Sequence, residues 1–264
     1  MRLFSALFFV ILLVGCASSL GSRLRLPNQN TLVRDQLVIY CDFPLAAHHR
    51  LFEELTSQRA DLCRRLTLPC SEEPVYVYLF ESPERFQGFM RLYHPEFPDR
   101  RAFFLETDTR LSVYAQWGDH LADDLRHEVT HGYIHSVVPN IPLWLDEGIA
   151  EFYEVPRGGR GLNRVHLDRL LARIDKGHWQ PDLRRLERHP TSENMTQDDY
   201  AESWAWAHFL MESRPEFLEV TRSYLLELRR NGVAPPMFDR LSTVVDRPNA
   251  ALVEHIRRLE SISR

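Results

Sequence analysis

The chain has 264 residues, 44% of them hydrophobic and 26% charged, with a formal net charge of −5. That balance excludes disordered and fibrous classes and allows one sizeable core, long for a single small domain and short for two independent large ones. The acidic excess gives no reason to expect nucleic-acid binding, and with Lys176 as the only lysine nearly all positive charge is arginine.

The first residues read as a targeting segment. Met1-Arg2 is a minimal basic start, Leu3 to Val14 is almost wholly apolar, and Leu13-Val14-Gly15-Cys16 follows. The apolar run is too short for a comfortable transmembrane helix, which leaves a signal peptide. Its end resembles the bacterial lipobox, which implies cleavage before Cys16 and a lipid on that sulfur; an ordinary secretory signal with a chance cysteine is the alternative. The absence of an acidic residue in Ala17-Ser18 favours the outer membrane by the sorting rule of Gram-negative lipoproteins. Removing residues 1–15 takes away one arginine and no acid, so the net charge becomes −6. Residues 16–34 are expected to be a polar tether, with the folded domain over 35–264. In an exported protein a Cys63–Cys70 bridge is expected, with Cys41 a buried free thiol; three reduced cysteines are the alternative, since sequence alone does not set pairing.

Gln36 to Cys41 is β-branched and apolar and predicts a first strand. Leu45 to Leu66 carries apolar residues at helical spacing. Pro74 to Phe80 predicts a second strand, and Ser82-Pro83-Glu84 opens a helix to about Leu92. Arg101–Glu106 and Leu111–Trp117 predict two strands around the turn Thr107-Asp108-Thr109. Asp119 is placed to cap the next helix, which should run to about Val138 and stop at Pro139-Asn140-Ile141-Pro142. A further helix takes Leu143 to Glu154. Pro156 to Gly161 is a flexible glycine-rich turn with no Walker lysine and no preceding strand. The rest reads as helices over 165–174, 183–187, 197–212, 215–229 and 250–262. The fold class is α+β: a small N-terminal mixed or antiparallel sheet lobe and metal helix (35–140), and a helical lobe (141–264), with a cleft between them.

The chemistry concentrates in Asp124-Leu-Arg-His127-Glu128-Val-Thr-His131. Residues four apart on a helix share a face, so His127 and His131 project together at metal-chelating distance, and Glu128 stands one step round to handle a proton of an activated water. A catalytic zinc takes three protein ligands and keeps one position open. Glu147, sixteen positions after His131, supplies the third if the proline-rich loop folds the second helix back. His135 extends the i+4 series but lies too far along the helix to be a ligand. Asp146 reads as a surface residue, and His120, His166 and His189 as ordinary histidines.

HEVTHG followed by PLWLDEGIAEF resembles the gluzincin zinc peptidases, the group of thermolysin and the zinc aminopeptidases, and most closely the peptidase MA-like branch of bacterial proteins. Phe86-Gln-Gly-Phe89, Arg100-Arg-Ala-Phe-Phe104 and Tyr200-Ala-Glu-Ser-Trp204 through His208-Phe-Leu210 extend the likeness over roughly residues 45–215. The resemblance implies a zincin-like fold, one zinc per chain on His127, His131 and Glu147, and Glu128 as general base. It also implies Glu151 as a carboxylate that orients a ligand imidazole. Tyr200 is the candidate oxyanion donor, with His208 behind it; core packing explains their helical stripe with Trp204 equally well. The strand Leu111–Trp117 is the candidate edge for pairing an extended substrate. The exopeptidase GxMEN strand is absent, which favours an endopeptidase. The expectation is a lipid-anchored envelope hydrolase acting on peptides or proteins; the alternative is a catalytically silent metal-binding scaffold. A non-peptide amide substrate stays open, as does the oligomeric state.

Overall fold

The computed structural model describes residues 25–46, 49–97, 99–189, 191 and 194–263. The expected signal segment and Cys16 lie outside them. No helix among the described residues is long and apolar enough to cross a membrane.

The architecture is α+β, with a five-stranded mixed sheet and about ten helices. The strands are β1 (Asn30–Arg34), β2 (Leu37–Cys41), β3 (Val75–Phe80), β4 (Ala102–Thr107) and β5 (Arg110–Gln116), in the order β1-β2-β3-β5-β4. β2, β3 and β5 run parallel, while β1 and β4 pair antiparallel at the two edges. Between them lie α1 (Arg50–Leu66), linking β2 to β3, and α2 (Pro83–Tyr93). Period-two alternation splits the sheet into two apolar faces. Leu37, Ile39, Val75, Val77, Leu79, Leu111 and Val113 join the main core with α1 and the histidine-motif helix. Tyr78, Phe80, Phe103 and Tyr114 face the other way, packed with Phe86, Phe89 and Met90 of α2.

The histidine-motif helix α3 (Leu121–His135) is followed by α4 (Leu143–Glu154), α5 (Arg164–Asp175), α6 (Leu183–Leu186), α7 (Gln197–Glu212), α8 (Pro215–Asn231), α9 (Met237–Leu241) and α10 (Pro248–Ser263). Ser82 caps α2 as expected, its hydroxyl accepting from Arg85 N. Thr196 and Asp199 close a reciprocal capping box on α7, which starts that helix where the sequence predicts it.

Four expectations need correction. Residues 30–34 are no tether but β1, a short, largely exposed edge strand whose polar sequence hides its pairing with β2. The histidine-motif helix begins after His120, with no side-chain cap from Asp119, and its α-helical turns end at His135. β5 is an interior strand; the edge beside the histidine-motif helix is β4. Cys63 and Cys70 are free thiols, in hydrogen-bonding contact because Thr67 turns left-handed after α1 and brings the chain back. Burial first, and then Cys70, pushes the Cys63 thiol up to about 12. Cys41 is buried on β2 and free, donating to Phe43 O.

The edge has a defined polarity. Gln116 N donates to Arg101 O at 3.1 Å, which makes Arg101 and Gln116 a hydrogen-bonded pair of the β4–β5 ladder. Alternation along an antiparallel ladder then turns the main-chain groups of Ala102, Phe104 and Glu106 away from β5.

Candidate metal centre

Two close approaches hold the site's helices in place. A Cβ on Gly132 would come within 2.7 Å of Val75, so α3 presses directly onto β3. A Cβ on Gly148 would meet Ser203 O at 2.4 Å, so α4 lies backbone to backbone against α7. Gln58 of α1 donates to Arg126 O (2.8 Å) and to Thr130 Oγ1 (2.6 Å), pinning the buried side of α3. Arg126 Nε donates to Glu154 O at 2.6 Å, which satisfies an open carbonyl at the C-terminus of α4 and ties that helix to the histidine motif.

The result is a convergence of three side chains. His127 Nε2 lies 3.4 Å and His131 Nε2 3.8 Å from the same oxygen, Glu147 Oε2. Candidate ligand atoms of the three residues all fall within 4.8 Å of one another. Glu147 is buried, and Oε2 has no hydrogen-bond donor among the described residues. A buried carboxylate oxygen facing two imidazole nitrogens without a donor fits a cation, and two imidazoles with one carboxylate form a donor set suited to zinc. The triad expected from the sequence comes together.

The outer nitrogens are engaged. His127 Nδ1 is 3.1 Å from Glu154 Oε2, and His131 Nδ1 is 3.0 Å from Asp146 Oδ1. Asp146 Oδ2 contacts His135 Nε2 at 3.0 Å, and His135 Nδ1 contacts Glu106 at 2.6 Å. These carboxylates beside Nδ1, a hydrogen-bond partner for His127 and an ion-pair contact for His131, orient the two rings and leave each Nε2 toward Glu147. Two more clusters, His131-His135-Asp146 and His127-Glu151-Glu154, are close enough to hold an ion. Each shares a histidine with the triad, and the geometry above already accounts for those outer nitrogens.

A family model described as "Protein of unknown function (DUF1570)" matches residues 122–226. That stretch is less than half of the chain. It runs from the start of α3 into α8 and contains the triad, Asp146, Glu154 and Tyr200. No curated protein matches the chain.

Electrostatics follow from the crowding. Burial disfavours charge on His127, but Glu147 and Glu154 outweigh it and hold the imidazole well above its ordinary pKa. Burial likewise opposes charge on His131, and Asp146 outweighs it, raising that pKa too. Burial holds Asp146 up, but the two histidines win and its carboxyl lies well below the usual range. Glu128 is buried, and desolvation raises its pKa despite the neighbouring histidines. A carboxylate so raised is a stronger proton acceptor.

Glu128 and His127 line a cleft of about 470 Å³ with Gln87, Arg100, Gln116 and Tyr200. Tyr200 therefore stands where the sequence reading placed a donor. Its hydroxyl accepts from Arg100 Nη2 at 3.2 Å. Burial raises its pKa, so the phenol keeps its proton. His208 lies elsewhere, buried in the helical core with Nδ1 3.0 Å from His255 Nε2. Trp204 is core, and Tyr133 is packing, donating to Leu55 O.

Three residues of the site escaped the sequence reading, and one was assigned another neighbour. Glu154, seven residues after Glu147, is the direct carboxylate partner of His127. Glu151 stands beside the same ring but accepts from Asn163 Nδ2 at 3.2 Å and lies in ion-pair contact with His166 Nε2 at 2.7 Å. Asp146 is buried where a surface residue was expected, because α4 has no solvent face: every residue from Trp144 to Tyr153 is buried between α3 and α7. Arg100 has no motif at all; the RRAFF run gave its position without its role.

Proposed function

We propose that the protein is a zinc-dependent hydrolase that cleaves peptide bonds, with a zincin-like fold and, through Cys16, a lipid anchor in the bacterial cell envelope. The convergence of His127 and His131 on Glu147, with Glu128 buried beside them, carries the reading. When bound at this triad, zinc supplies Lewis-acid polarisation of a carbonyl and a more acidic water. The remaining roles belong to the chain. Glu128 takes the water's proton and returns it to the leaving amine. Tyr200 accepts from Arg100, so its own O–H is free to donate to a developing oxyanion. The outward main-chain groups of Ala102 and Phe104 on β4 offer hydrogen bonds to an extended peptide backbone, and Phe104 stacks on His131 at 5.8 Å, which sets this edge beside the triad. In this reading β4 takes the edge role expected of Leu111–Trp117.

The test is cleavage of a casein or peptide-pool substrate by zinc-loaded protein, with and without chelator, beside Glu128→Gln. Chelator-sensitive cleavage lost in the variant is expected. Full activity in the variant, or no chelator-sensitive cleavage of any peptide, overturns the reading.

A further inference from the structure

Arg100 holds the cleft's uncommitted cation. The cleft is lined by two arginines, and Arg101 is spent: its Nε and Nη2 bind Asp124 at 3.0 and 2.7 Å. Arg100 pairs with no carboxylate among the described residues and makes one hydrogen bond, to Tyr200. An arginine carries five N–H donors in a planar fork, so most of its capacity is open. Three of the cleft's five carboxylates are engaged elsewhere: Glu154 by His127, Glu151 by Asn163 and His166, and Asp124 by Arg101. Glu128 feels the charge of Arg100 but forms no ion pair with it. Asp99 is left at the exposed rim. Among the described residues the other lining is mostly polar, with the amides Gln87, Gln116 and Gln197, the ring of Tyr200 and one aliphatic side chain, Ala102. Among the described residues the adjoining apolar cavity behind Gln87, Asp99 and Arg100 holds only about 30 Å³, too little for a large side chain, so discrimination falls to charge and main-chain contacts.

The position of Arg100 along the edge gives that charge a direction. It lies two residues before β4, whose open edge begins at Ala102 and passes His131 at Phe104. A peptide lying antiparallel on this edge points its carboxyl end toward Arg100; a parallel one brings its ammonium end to the same cation. Antiparallel pairing is the more stable, and the charge selects it again. At about 3.4 Å per residue, the two to four positions from Phe104 or Ala102 to Arg100 span roughly 7–14 Å. That is two to four substrate residues beyond the bond facing the triad.

We propose that Arg100 receives the terminal carboxylate of the substrate, making the protein a carboxypeptidase that releases short fragments of two to four residues from free C-termini. The proposal rests on the peptidase reading above. The step is hydrolysis: water oxygen bonds to the carbonyl carbon and the C–N bond breaks. The shortened peptide leaves as an acid, and the released fragment carries the new amine with its proton. This reverses the endopeptidase expectation drawn from the missing GxMEN strand, which bears only on recognition of a substrate's amino end.

Two acetylated random heptapeptide pools, identical except for a C-terminal carboxylate or carboxamide, test it. Zinc-loaded wild type is incubated with each, and products are read by mass spectrometry. Retention of both pools on immobilised Glu128→Gln protein is measured in parallel, with and without Arg100→Gln or Arg100→Lys added. The acid pool should lose two to four C-terminal residues and be retained at least about tenfold over the amide pool, the gain of one charge-assisted contact. Arg100→Gln should erase that preference by raising KM, with zinc content and Tm kept, and Arg100→Lys should restore part of it. Equal retention of the two pools, absence of retention, or internal cleavage of both overturns the anchor. So does a loss in Arg100→Gln confined to kcat and equal for both pools, which is the signature of merely positioning Tyr200. Preferential retention without cleavage sustains the anchor and rejects the catalytic reading; equal cleavage of both pools does the reverse.

Discussion

Gly148→Ala is the most sensitive probe of how α4 delivers Glu147. The added methyl would sit 2.4 Å from Ser203 O, 2.9 Å from Ser203 C and 3.0 Å from Ala207 Cβ. Two of those atoms are α7 backbone, so no side chain can rotate aside and the helices must part. Overpacking of this kind costs about 1–3 kcal/mol, against a helix-propensity gain for alanine of roughly 0.5–1 kcal/mol. Because the obstructing atoms are backbone, the upper end applies, for a net loss of about 2 kcal/mol. At about 2–4 °C per kcal/mol in a chain of this size, Tm falls by roughly 4–8 °C. Glu147 is the adjacent residue, so zinc affinity falls as well. Gly88→Ala is the control: it lies within α2, and nothing approaches its would-be Cβ within 4 Å. That change should stabilise by about 0.5–1 kcal/mol and leave the metal untouched. Thermal unfolding and a competitive zinc titration on both variants measure these effects. An unchanged Tm and zinc affinity in Gly148→Ala would refute the backbone contact between α4 and α7.

Other consequences are measurable. Glu154→Gln and Asp146→Asn, which weaken the contacts to His127 Nδ1 and His131 Nδ1, should each lower zinc affinity about 10–100-fold with the fold retained; unchanged affinity would remove them from the support of the site. Tyr200→Phe should lower kcat about 10²–10³-fold at unchanged zinc content, the effect of losing one oxyanion donor; an unaltered kcat rejects that role. Burial holds His208 down to about 4 and His255 down to about 3. The unfolded chain then binds protons between pH ~6.5 and these values that the folded chain does not, so stability is full above about pH 6.5 and is lost as pH falls through that window. Tm measured from pH 7 to 4 should drop less steeply in His255→Leu than in wild type, and parallel slopes would contradict it.

Much of the site was legible because its chemistry is local. An i, i+4 histidine pair on a helix and an acid on the next helix need only helical geometry and one sharp turn, and α4 begins and ends at the predicted residues. The rest depends on tertiary environment. Asp146 is a polar residue between apolar neighbours, and its burial follows from α7 covering α4 through Gly148, a contact with no sequence period. Glu154 and Glu151 are both at helical spacing from Glu147, and only the rotation of α4 about Arg126 decides which one meets His127. Arg100 belongs to a loop, where no periodicity indicates a direction. β1 has no apolar pattern because an exposed edge strand buries too little to need one, and the interior place of β5 has no signal because strand order across a crossover is not written in strand composition.

The metal centre itself is tested most directly by the zinc content of purified protein, read by mass spectrometry after exhaustive buffer exchange. One zinc per chain is predicted for wild type and for Glu128→Gln, falling to a small fraction in His131→Ala and Glu147→Ala while each variant stays folded. Absence of zinc from wild type that resists reconstitution, or stoichiometric zinc retained in Glu147→Ala, would contradict the proposed triad.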